Sequence, residues 1–199
     1  MDKMAVLYDA SLCTACRGCQ VACKQWNDLE AEPTINTGSY ENPPDLSPQT
    51  WTRISFLEIE KGDDIQWFFL KRQCMHCTEA ACVEVCPTGA LQHHEMGFVA
   101  VRRDLCNGCG YCTQFCPFHI PRLDQNVITG AGKSYKCNFC QDRTTNGLPP
   151  ACVQTCPSGA LSYGNRGEMV AEGEARVKAL QSNGYPKANL YGANLLGGL

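Results

Sequence analysis

Apolar and polar positions alternate along two neighbouring stretches of the chain, residues 51–60 and 65–72. A period of two is typical of β-strands, and the Lys-Gly-Asp-Asp segment between them, 61–64, has the composition of a turn. The pattern therefore predicts a β-hairpin. A second, shorter strand pair is predicted at 91–92 and 98–101.

Short helices are predicted beside each cysteine-rich stretch, and one longer helix is predicted near the end of the chain. The short helices cover residues 18–30, 78–85, 110–115 and 149–155. Thr78 is expected to cap the second of them, because a threonine hydroxyl accepts hydrogen bonds from a first helical turn. Good helix formers extend over 168–182, and Gly184 follows as a C-terminal stop. The chain is thus expected to combine helices with strands.

Cysteine accounts for 16 of the 199 residues. Cysteine at this density is typical either of a disulfide scaffold in a secreted protein or of a metal protein. The first residues, MDKMAVLYDASLC, have no charged segment followed by an apolar segment and a cleavage site, so we expect no signal peptide. That expectation favours a metal protein.

Charge and hydropathy argue against two kinds of partner. Lys and Arg number 17 against 20 Asp and Glu, the net charge is -3, and no basic run is present that would follow a phosphate backbone. We therefore expect no nucleic-acid partner. No stretch approaches the roughly 18 apolar residues that cross a bilayer, so no membrane span is expected in this chain.

The cysteines fall into four groups of four that repeat one spacing. In the first and third groups, two, two and three residues separate successive cysteines, whereas the middle gap is four residues in the second group and eleven in the fourth. The groups are Cys13, Cys16, Cys19 and Cys23; Cys74, Cys77, Cys82 and Cys86; Cys106, Cys109, Cys112 and Cys116; and Cys137, Cys140, Cys152 and Cys156.

This spacing is the one by which bacterial ferredoxins hold [4Fe–4S] clusters: three cysteines of a loop bind one cluster, and the fourth binds the other cluster of a pair. A proline follows the fourth cysteine in three groups, as Pro87, Pro117 and Pro157, whereas Lys24 follows it in the first. The near copies PTGAL and PSGAL after the second and fourth groups indicate duplication of one unit. The sequence therefore predicts four [4Fe–4S] clusters, with all sixteen cysteines binding iron.

Other interpretations of the cysteines are weaker. A zinc ribbon uses two CxxC pairs separated by a longer spacer, and only the fourth group has that shape. A disulfide framework does not require the ferredoxin spacing with its proline. In an interpretation of a different class, clusters or zinc only hold together an interaction module. Reversible reduction of the clusters would distinguish electron transfer from that role.

The spacing leaves open which groups share clusters. The links between the second and third groups and between the third and fourth groups are similarly short. Either the second group pairs with the third, which leaves the first with the fourth, or the first pairs with the second and the third with the fourth.

Four segments carry a resemblance to a known family: CTACRGCQVACKQWND at 13–28, ENPPDLSPQTWTRISFLE at 41–58, CMHC at 74–77 and KCNFCQDR at 136–143. Over essentially its whole length the chain resembles the four-cluster iron–sulfur (beta) subunits of molybdenum- and tungsten-pterin oxidoreductases, and it is most similar to the formate dehydrogenase branch.

The resemblance implies a non-catalytic electron-transfer subunit of an oxidoreductase complex, with no catalytic residue in this chain. One partner would be a Mo/W-bis-pterin catalytic (alpha) subunit that oxidises formate or reduces carbon dioxide, and the other a second redox subunit or carrier. Within the family, the alternative is the relay subunit of a dimethyl sulfoxide, thiosulfate, polysulfide or nitrate reductase.

The resemblance also implies which cysteines share a cluster, and we name these sets the first to fourth quartets. The first quartet is Cys13, Cys16, Cys19 and Cys156, and the second is Cys137, Cys140, Cys152 and Cys23. The third is Cys74, Cys77, Cys82 and Cys116, and the fourth is Cys106, Cys109, Cys112 and Cys86.

The fold class implied is α+β, with duplicated bacterial-type ferredoxin-like units that form two pseudo-symmetric, two-cluster halves. One half comprises residues 1–31 and 132–166, and the other comprises 74–131. An insertion with the β-hairpin, 32–73, and a C-terminal helix and tail, 167–199, complete the chain.

Membrane-bound relatives carry a C-terminal transmembrane helix on this subunit, which we do not expect here. Relatives occur in the cytoplasm or are exported to the periplasm with a twin-arginine-bearing partner, and both locations are compatible with this sequence.

Polar residues near the cysteine groups have simpler explanations than a further metal site. His76 lies between two predicted ligands, and we expect it to form a hydrogen bond near a cluster rather than to bind metal. Six cations close to the cluster loops have two explanations: they offset the negative charge of the clusters, or they are solvated surface charges, which is the default expectation. The six cations are Lys24, Arg72, Arg102, Arg103, Arg122 and Lys136.

Overall fold

The computed structural model describes residues 3–126, 128–130 and 132–195. The last four residues of the predicted tail, 196–199, lie outside the described residues, as do positions 1–2, 127 and 131. The described part contains eight strands and six helices. In chain order these are β1 (Met4–Tyr8), α1 (Gly18–Trp26), β2 (Arg53–Lys61), β3 (Asp64–Arg72), α2 (Ala81–Glu84), β4 (Leu91–His93), β5 (Val99–Val101), α3 (Tyr111–Phe115), β6 (Arg122–Gln125), β7 (Gly132–Tyr135), α4 (Gln141–Thr144), α5 (Ala151–Gln154), β8 (Leu161–Asn165) and α6 (Arg166–Ser182).

The strands pair two by two in four antiparallel sheets. The two stretches with alternating apolar and polar positions form a hairpin of β2 and β3, in which Arg53 lies opposite Arg72. β4 pairs with β5, and β6 pairs with β7, so these contacts are also local. β1 pairs instead with β8, which places Met4 opposite Asn165. That sheet brings together segments from opposite ends of the chain, and with them the first and fourth cysteine groups.

Helix α1 is shorter than the predicted 18–30 and ends at Trp26. Asp28 has a left-handed backbone with φ 51°, which an α-helix does not accommodate. The side-chain amide of Asn27 also donates a hydrogen bond to the carbonyl of Cys23 at 2.9 Å, which satisfies a carbonyl of the last turn. The helix therefore ends soon after the last cysteine of the first group.

The prediction that Thr78 caps α2 is wrong. The helix begins at Ala81, and Ala80 before it forms no side-chain hydrogen bond to the helix. Ala80 is buried in a small core, so packing positions the start of this helix. Helix α6 does have a side-chain cap, because the side chain of Asn165 accepts a hydrogen bond from the N–H of Gly167 at 2.9 Å.

Among the described residues, the buried apolar side chains form three small cores. The first contains Cys19, Ile54, Cys152 and Leu161. The second contains Ala80, Leu91, Val99 and Cys112, and the third contains Met96, Phe98, Ala100 and Phe139. Thiols are thus part of two of these cores, so some members of the cysteine groups lie inside the fold.

An ion pair fastens the hairpin to the irregular segment that precedes it. Arg53 is only 3% exposed, and its guanidinium contacts the carboxylate of Glu41. The Oε1 atom of Glu41 also accepts a hydrogen bond from the backbone N–H of Phe56 at 2.8 Å. One carboxylate therefore neutralises a buried cation and fixes the edge of strand β2.

Replacing Glu41 with alanine should destabilise the hairpin by roughly 3–5 kcal/mol, because removal of one partner leaves a buried charge unpaired. The matched variant E60A, at an exposed position of the same hairpin, should cost less than about 0.5 kcal/mol. Hydrogen exchange of the β2 and β3 amides measures the difference. Equal protection in E41A and E60A would mean that the ion pair does not hold the hairpin in place.

Candidate metal centres

All sixteen cysteines carry free thiols. Five of them are buried, namely Cys19, Cys23, Cys112, Cys140 and Cys152. Two are exposed, Cys16 and Cys109, and the others are half-buried. The chain therefore presents a large set of sulfur donors, most of which are shielded from water.

The four groups share one backbone conformation near their start. In each group the second residue after the first cysteine has a left-handed backbone, with φ between 48° and 74°. These residues are Ala15, His76, Gly108 and Phe139. For a residue other than glycine this conformation is costly unless the surrounding structure imposes it. Its recurrence at one position indicates four copies of one loop.

In two of these loops the left-handed residue also contacts the cysteine before it. The backbone N–H of His76 donates to the sulfur of Cys74 at 3.4 Å, and the N–H of Phe139 donates to the sulfur of Cys137 at 3.4 Å. The loop thus turns its amides toward sulfur, and hydrogen bonds to sulfur are one of the features by which a protein sets the potential of a cluster.

Two cavities are each lined by four thiols. One is surrounded by Cys23, Cys137, Cys140 and Cys152. The other is surrounded by Cys86, Cys106, Cys109 and Cys112. In both, the last cysteine of one group stands among three cysteines of another. The structure thereby brings together the members of the second and fourth quartets.

Members of the predicted third quartet raise one another's pKa. Burial, followed by the neighbouring thiols of Cys74, Cys116 and Cys77, raises the pKa of Cys82 to about 12. Burial and the same two neighbours, Cys74 and Cys116, raise the pKa of Cys77 to about 11. Cys116, the last cysteine of the third group, thus lies near enough to two thiols of the second group to affect their pKa.

The first quartet gathers around the start of α1. Burial raises the pKa of Cys19, and the thiols of Cys152, Cys13 and Cys16 add to this effect. Cys156 and Cys13 pack against the core that contains Cys19. The first and fourth groups are therefore neighbours, and so are the second and third. The spacing alone left a second pairing possible, in which the first group lies with the second.

The quartets adjoin one another in a fixed order. Cys19 of the first quartet and Cys152 of the second share one core. Burial raises the pKa of Cys137 well above its usual range, and Cys74 of the third quartet is among the thiols that contribute. Cys86 of the fourth quartet packs in the same core as ligands of the third. The order is thus first, second, third and fourth.

The two exposed thiols belong to the two ends of this row. Cys16 is a member of the first quartet, and Cys109 is a member of the fourth. The inner quartets have no exposed thiol. Each outer quartet therefore has one member at the surface.

His76 lies between the second and third quartets and is 2% exposed. Its Nδ1 accepts a hydrogen bond from the N–H of Val99 at 3.2 Å, so the proton of the neutral ring is on Nε2. Burial, and then the charge of Lys136, holds the pKa of His76 well below its usual range. The Nε2 atom lies 3.5 Å from the sulfur of Cys137. The ring therefore donates toward a thiol of the neighbouring site.

The expectation that Lys136 is a solvated surface cation is wrong. The residue is 2% exposed, and its ammonium donates to the carbonyl oxygens of Val99 at 2.6 Å and Cys137 at 2.9 Å. Carbonyl dipoles take the place of water around the charge. Arg102 does match the expectation, because it is exposed and pairs with Asp104 at 2.8 Å.

Lys71 is a second buried cation, which sequence reasoning did not single out. The residue is 8% exposed, and its ammonium donates to the hydroxyl of Thr52 at 2.6 Å. The side-chain oxygen of Gln73 accepts a second hydrogen bond. The sequence carried one indication that Lys71 is buried: in the hairpin it lies opposite Ile54, an apolar residue on the side that faces the protein interior.

The donor set fits iron–sulfur clusters, which proteins hold by four thiolates each. Four thiols surround one cavity here, and within the described residues no three His, Cys, Asp or Glu side chains come close enough to hold a single metal ion. Burial raises the pKa of Cys23 to about 12. Binding of iron must therefore displace protons from thiols that are otherwise neutral.

No helix in the part of the chain that the structure describes is long and apolar enough to cross a lipid bilayer.

Two families, both described as a 4Fe-4S dicluster domain, match the chain, one over residues 65–166 and the other over residues 12–90. The chain thus contains dicluster domains that bind 4Fe–4S clusters, in the region where the structure gathers the thiols.

Curated relatives align with nearly the whole chain. The formate dehydrogenase iron-sulfur subunit of Haemophilus influenzae is 42% identical, over 98% of this chain and 62% of its own length. The iron-sulfur subunit of the nitrate-inducible formate dehydrogenase of Escherichia coli is 42% identical, over 98% of this chain and 66% of its own length. The formate dehydrogenase 2 subunit beta (cytochrome c-553) of Nitratidesulfovibrio vulgaris is 38% identical, over 94% and 87%. The chain therefore spans about two thirds of the length of the first two relatives and most of the third.

Proposed function

Because the chain belongs to the family of formate dehydrogenase iron–sulfur subunits, we propose that it is the electron-transfer subunit of a formate dehydrogenase complex. It carries four [4Fe–4S] clusters, one at each quartet, and catalyses no substrate reaction itself. Its partners are a Mo/W-bis-pterin subunit that interconverts formate and carbon dioxide, and a second redox subunit or carrier.

The observation that supports this most directly is the row of four quartets with an exposed thiol at each end. A [4Fe–4S] cluster bound at a quartet accepts or releases one electron at a time, at potentials that range in proteins from roughly -700 to +450 mV. Adjacent quartets share cores, as Cys19 and Cys152 do. Short steps between neighbouring sites are what a protein needs to carry electrons through its body.

The residues of the chain hold the ligands, exclude water and donate hydrogen bonds to sulfur. The N–H of Leu91 donates to Cys86 at 3.5 Å, and the hydroxyl of Ser134 lies 3.3 Å from the sulfur of Cys112. A donor near sulfur stabilises added negative charge and so raises the reduction potential. Both of these contacts lie at the fourth quartet, whereas at the second quartet the Nε2 atom of His76 lies 3.5 Å from the sulfur of Cys137. The donors near sulfur thus differ between these two sites.

The proposed organisation keeps residues 1–31 with 132–166 as one two-cluster half and 74–131 as the other. Support for the first half comes from the pairing of β1 with β8, whose register runs from Met4 opposite Asn165 to Tyr8 opposite Leu161. The β-hairpin of the insertion, 32–73, packs against this half, because Ile54 lies in the core of that half.

Iron analysis tests the cluster count. The complex, purified without exposure to air and with its native partners attached, should contribute about sixteen irons and as many acid-labile sulfides per copy of this chain. EPR during reductive titration should show magnetically interacting cubane signals. Zinc in place of iron, or far fewer irons in protein never exposed to oxygen, would overturn the proposal.

Reduction of the clusters by formate distinguishes this function from the alternative, in which the chain is the relay subunit of a reductase. Formate alone should reduce the clusters of the intact complex, as judged by bleaching of their visible absorption and the appearance of EPR signals. If formate has no effect, and dimethyl sulfoxide, thiosulfate, polysulfide or nitrate oxidises the reduced clusters, the chain serves a reductase instead.

A further inference from the structure

Lys71 places a positive charge in the interior of the first two-cluster half. Its ammonium is held by the hydroxyl of Thr52 at 2.6 Å and by the side-chain oxygen of Gln73. Thr52 and Gln73 both line the cavity of the second quartet. The charge is thus fixed at the wall of that cavity by two uncharged groups.

The same lysine also faces the first quartet. Its partner in the hairpin register, Ile54, packs in the core with Cys19 of the first quartet and Cys152 of the second. The thiols that act on Lys71 come from both quartets: Cys19 from one, and Cys152, Cys137 and Cys23 from the other. The ammonium therefore lies between two predicted cluster sites.

Burial of an ammonium without a negative partner is costly. Among the described residues, Lys71 forms no ion pair with a carboxylate, whereas Lys24, Arg53, Arg72, Arg102, Arg122 and Arg176 each do. The groups that face it are thiols, which become thiolates of an anionic cluster once iron binds. The natural counter-charge of Lys71 is the pair of clusters itself.

We propose that Lys71 is a shared counter-cation of the first and second cluster sites, which raises the reduction potentials of both. Reduction adds one electron, and hence one negative charge, to a site that the positive charge of Lys71 faces; no proton or further reactant takes part. This inference rests on the proposed function, since it presumes clusters at both quartets.

The test compares the neutral variant K71M with the charge-conserving K71R and the surface control K178M, whose lysine is exposed on α6. Each is prepared as the complete complex, iron is counted, and potentials are measured by EPR-monitored titration. K71M should retain its iron, and two of its four clusters should become at least tenfold harder to reduce, which is a shift of about 59 mV for one electron. K71R and K178M should stay near the wild type.

The outcomes separate this inference from the proposed function. Full iron content with unchanged potentials in K71M would overturn the role of Lys71 and leave the four clusters intact. If K71M does not assemble, the iron content of K71R distinguishes the two explanations. Normal iron content in K71R supports a requirement for positive charge at this position. Loss of clusters in both variants shows instead that the shape of Lys71 matters, and not its charge. A wild type without iron would overturn the proposed function first.

Discussion

Replacing Cys23 with serine should remove the cluster of the second quartet. The cluster of the first quartet should remain, although its ligand loop lies directly before Cys23 in the chain. Cys23 follows Cys16 and Cys19 in the chain, but it lines the cavity of Cys137, Cys140 and Cys152. C23S should therefore lose about four of roughly sixteen irons, which is the content of one [4Fe–4S] cluster. The EPR signal that disappears should be the one that also disappears in C152S.

The control for this prediction is a second pair of variants. C19S and C156S remove ligands of the first quartet, so they should resemble each other and differ from C23S and C152S. The comparison needs no assignment of individual signals to sites. If the spectrum of C23S instead matches that of C19S, each run of four cysteines holds its own cluster and the crossed arrangement is wrong.

The ligand loops could be predicted from the sequence because their information is local. Two residues between cysteines restrict the backbone tightly, and the structure places a left-handed residue at the same position of all four groups, as at Ala15 and Phe139. The hairpin was predictable for the same reason. The two stretches with alternating apolar and polar positions, 51–60 and 65–72, are neighbours in sequence and pair with each other.

The pairing of the groups was not predictable from spacing, because it depends on contacts that are distant in sequence. Strands β1 and β8 are five residues long and too short to show a clear period, yet their register from Met4–Asn165 to Tyr8–Leu161 joins the first group to the fourth. Strands β6 and β7 and helix α4 are shorter still, at four residues each, and were not predicted.

The buried lysines show a different limit of sequence reasoning. A lysine is normally solvated, because an isolated buried ammonium is costly. That default fails for Lys136, which is surrounded by backbone carbonyls, and for Lys71, which faces thiols of two quartets. Both environments exist only after the chain has folded around its cysteines. The end of α1 is a similar case: aspartate adopts the left-handed backbone more often than most residues, but its residue type alone does not determine that Asp28 does so here.

Removal of all iron should unfold most of the chain, and not leave a native fold without metal. The described apolar cores are small, and two of the three contain thiols, such as Cys19 and Cys112. A domain of this size is stable by only about 5–15 kcal/mol, and where metal binding and folding are coupled the binding energy is folding energy. Far-UV circular dichroism should lose most of its native signal when iron is chelated under anaerobic, reducing conditions that keep the thiols free.

Hydrogen exchange should locate this loss at the short helices that carry ligands. Helices α1, α2, α3 and α5 have nine residues or fewer, too few to be stable alone, and they pack against thiols. Helix α6 has 17 residues and is fastened by Arg176 to Asp9 at 2.8 Å, so it should keep some protection. Reconstitution with ferrous iron and sulfide should restore the native pattern. Native exchange in the iron-free chain would instead mean that the small apolar cores suffice, and that the clusters serve electron transfer without supporting the fold.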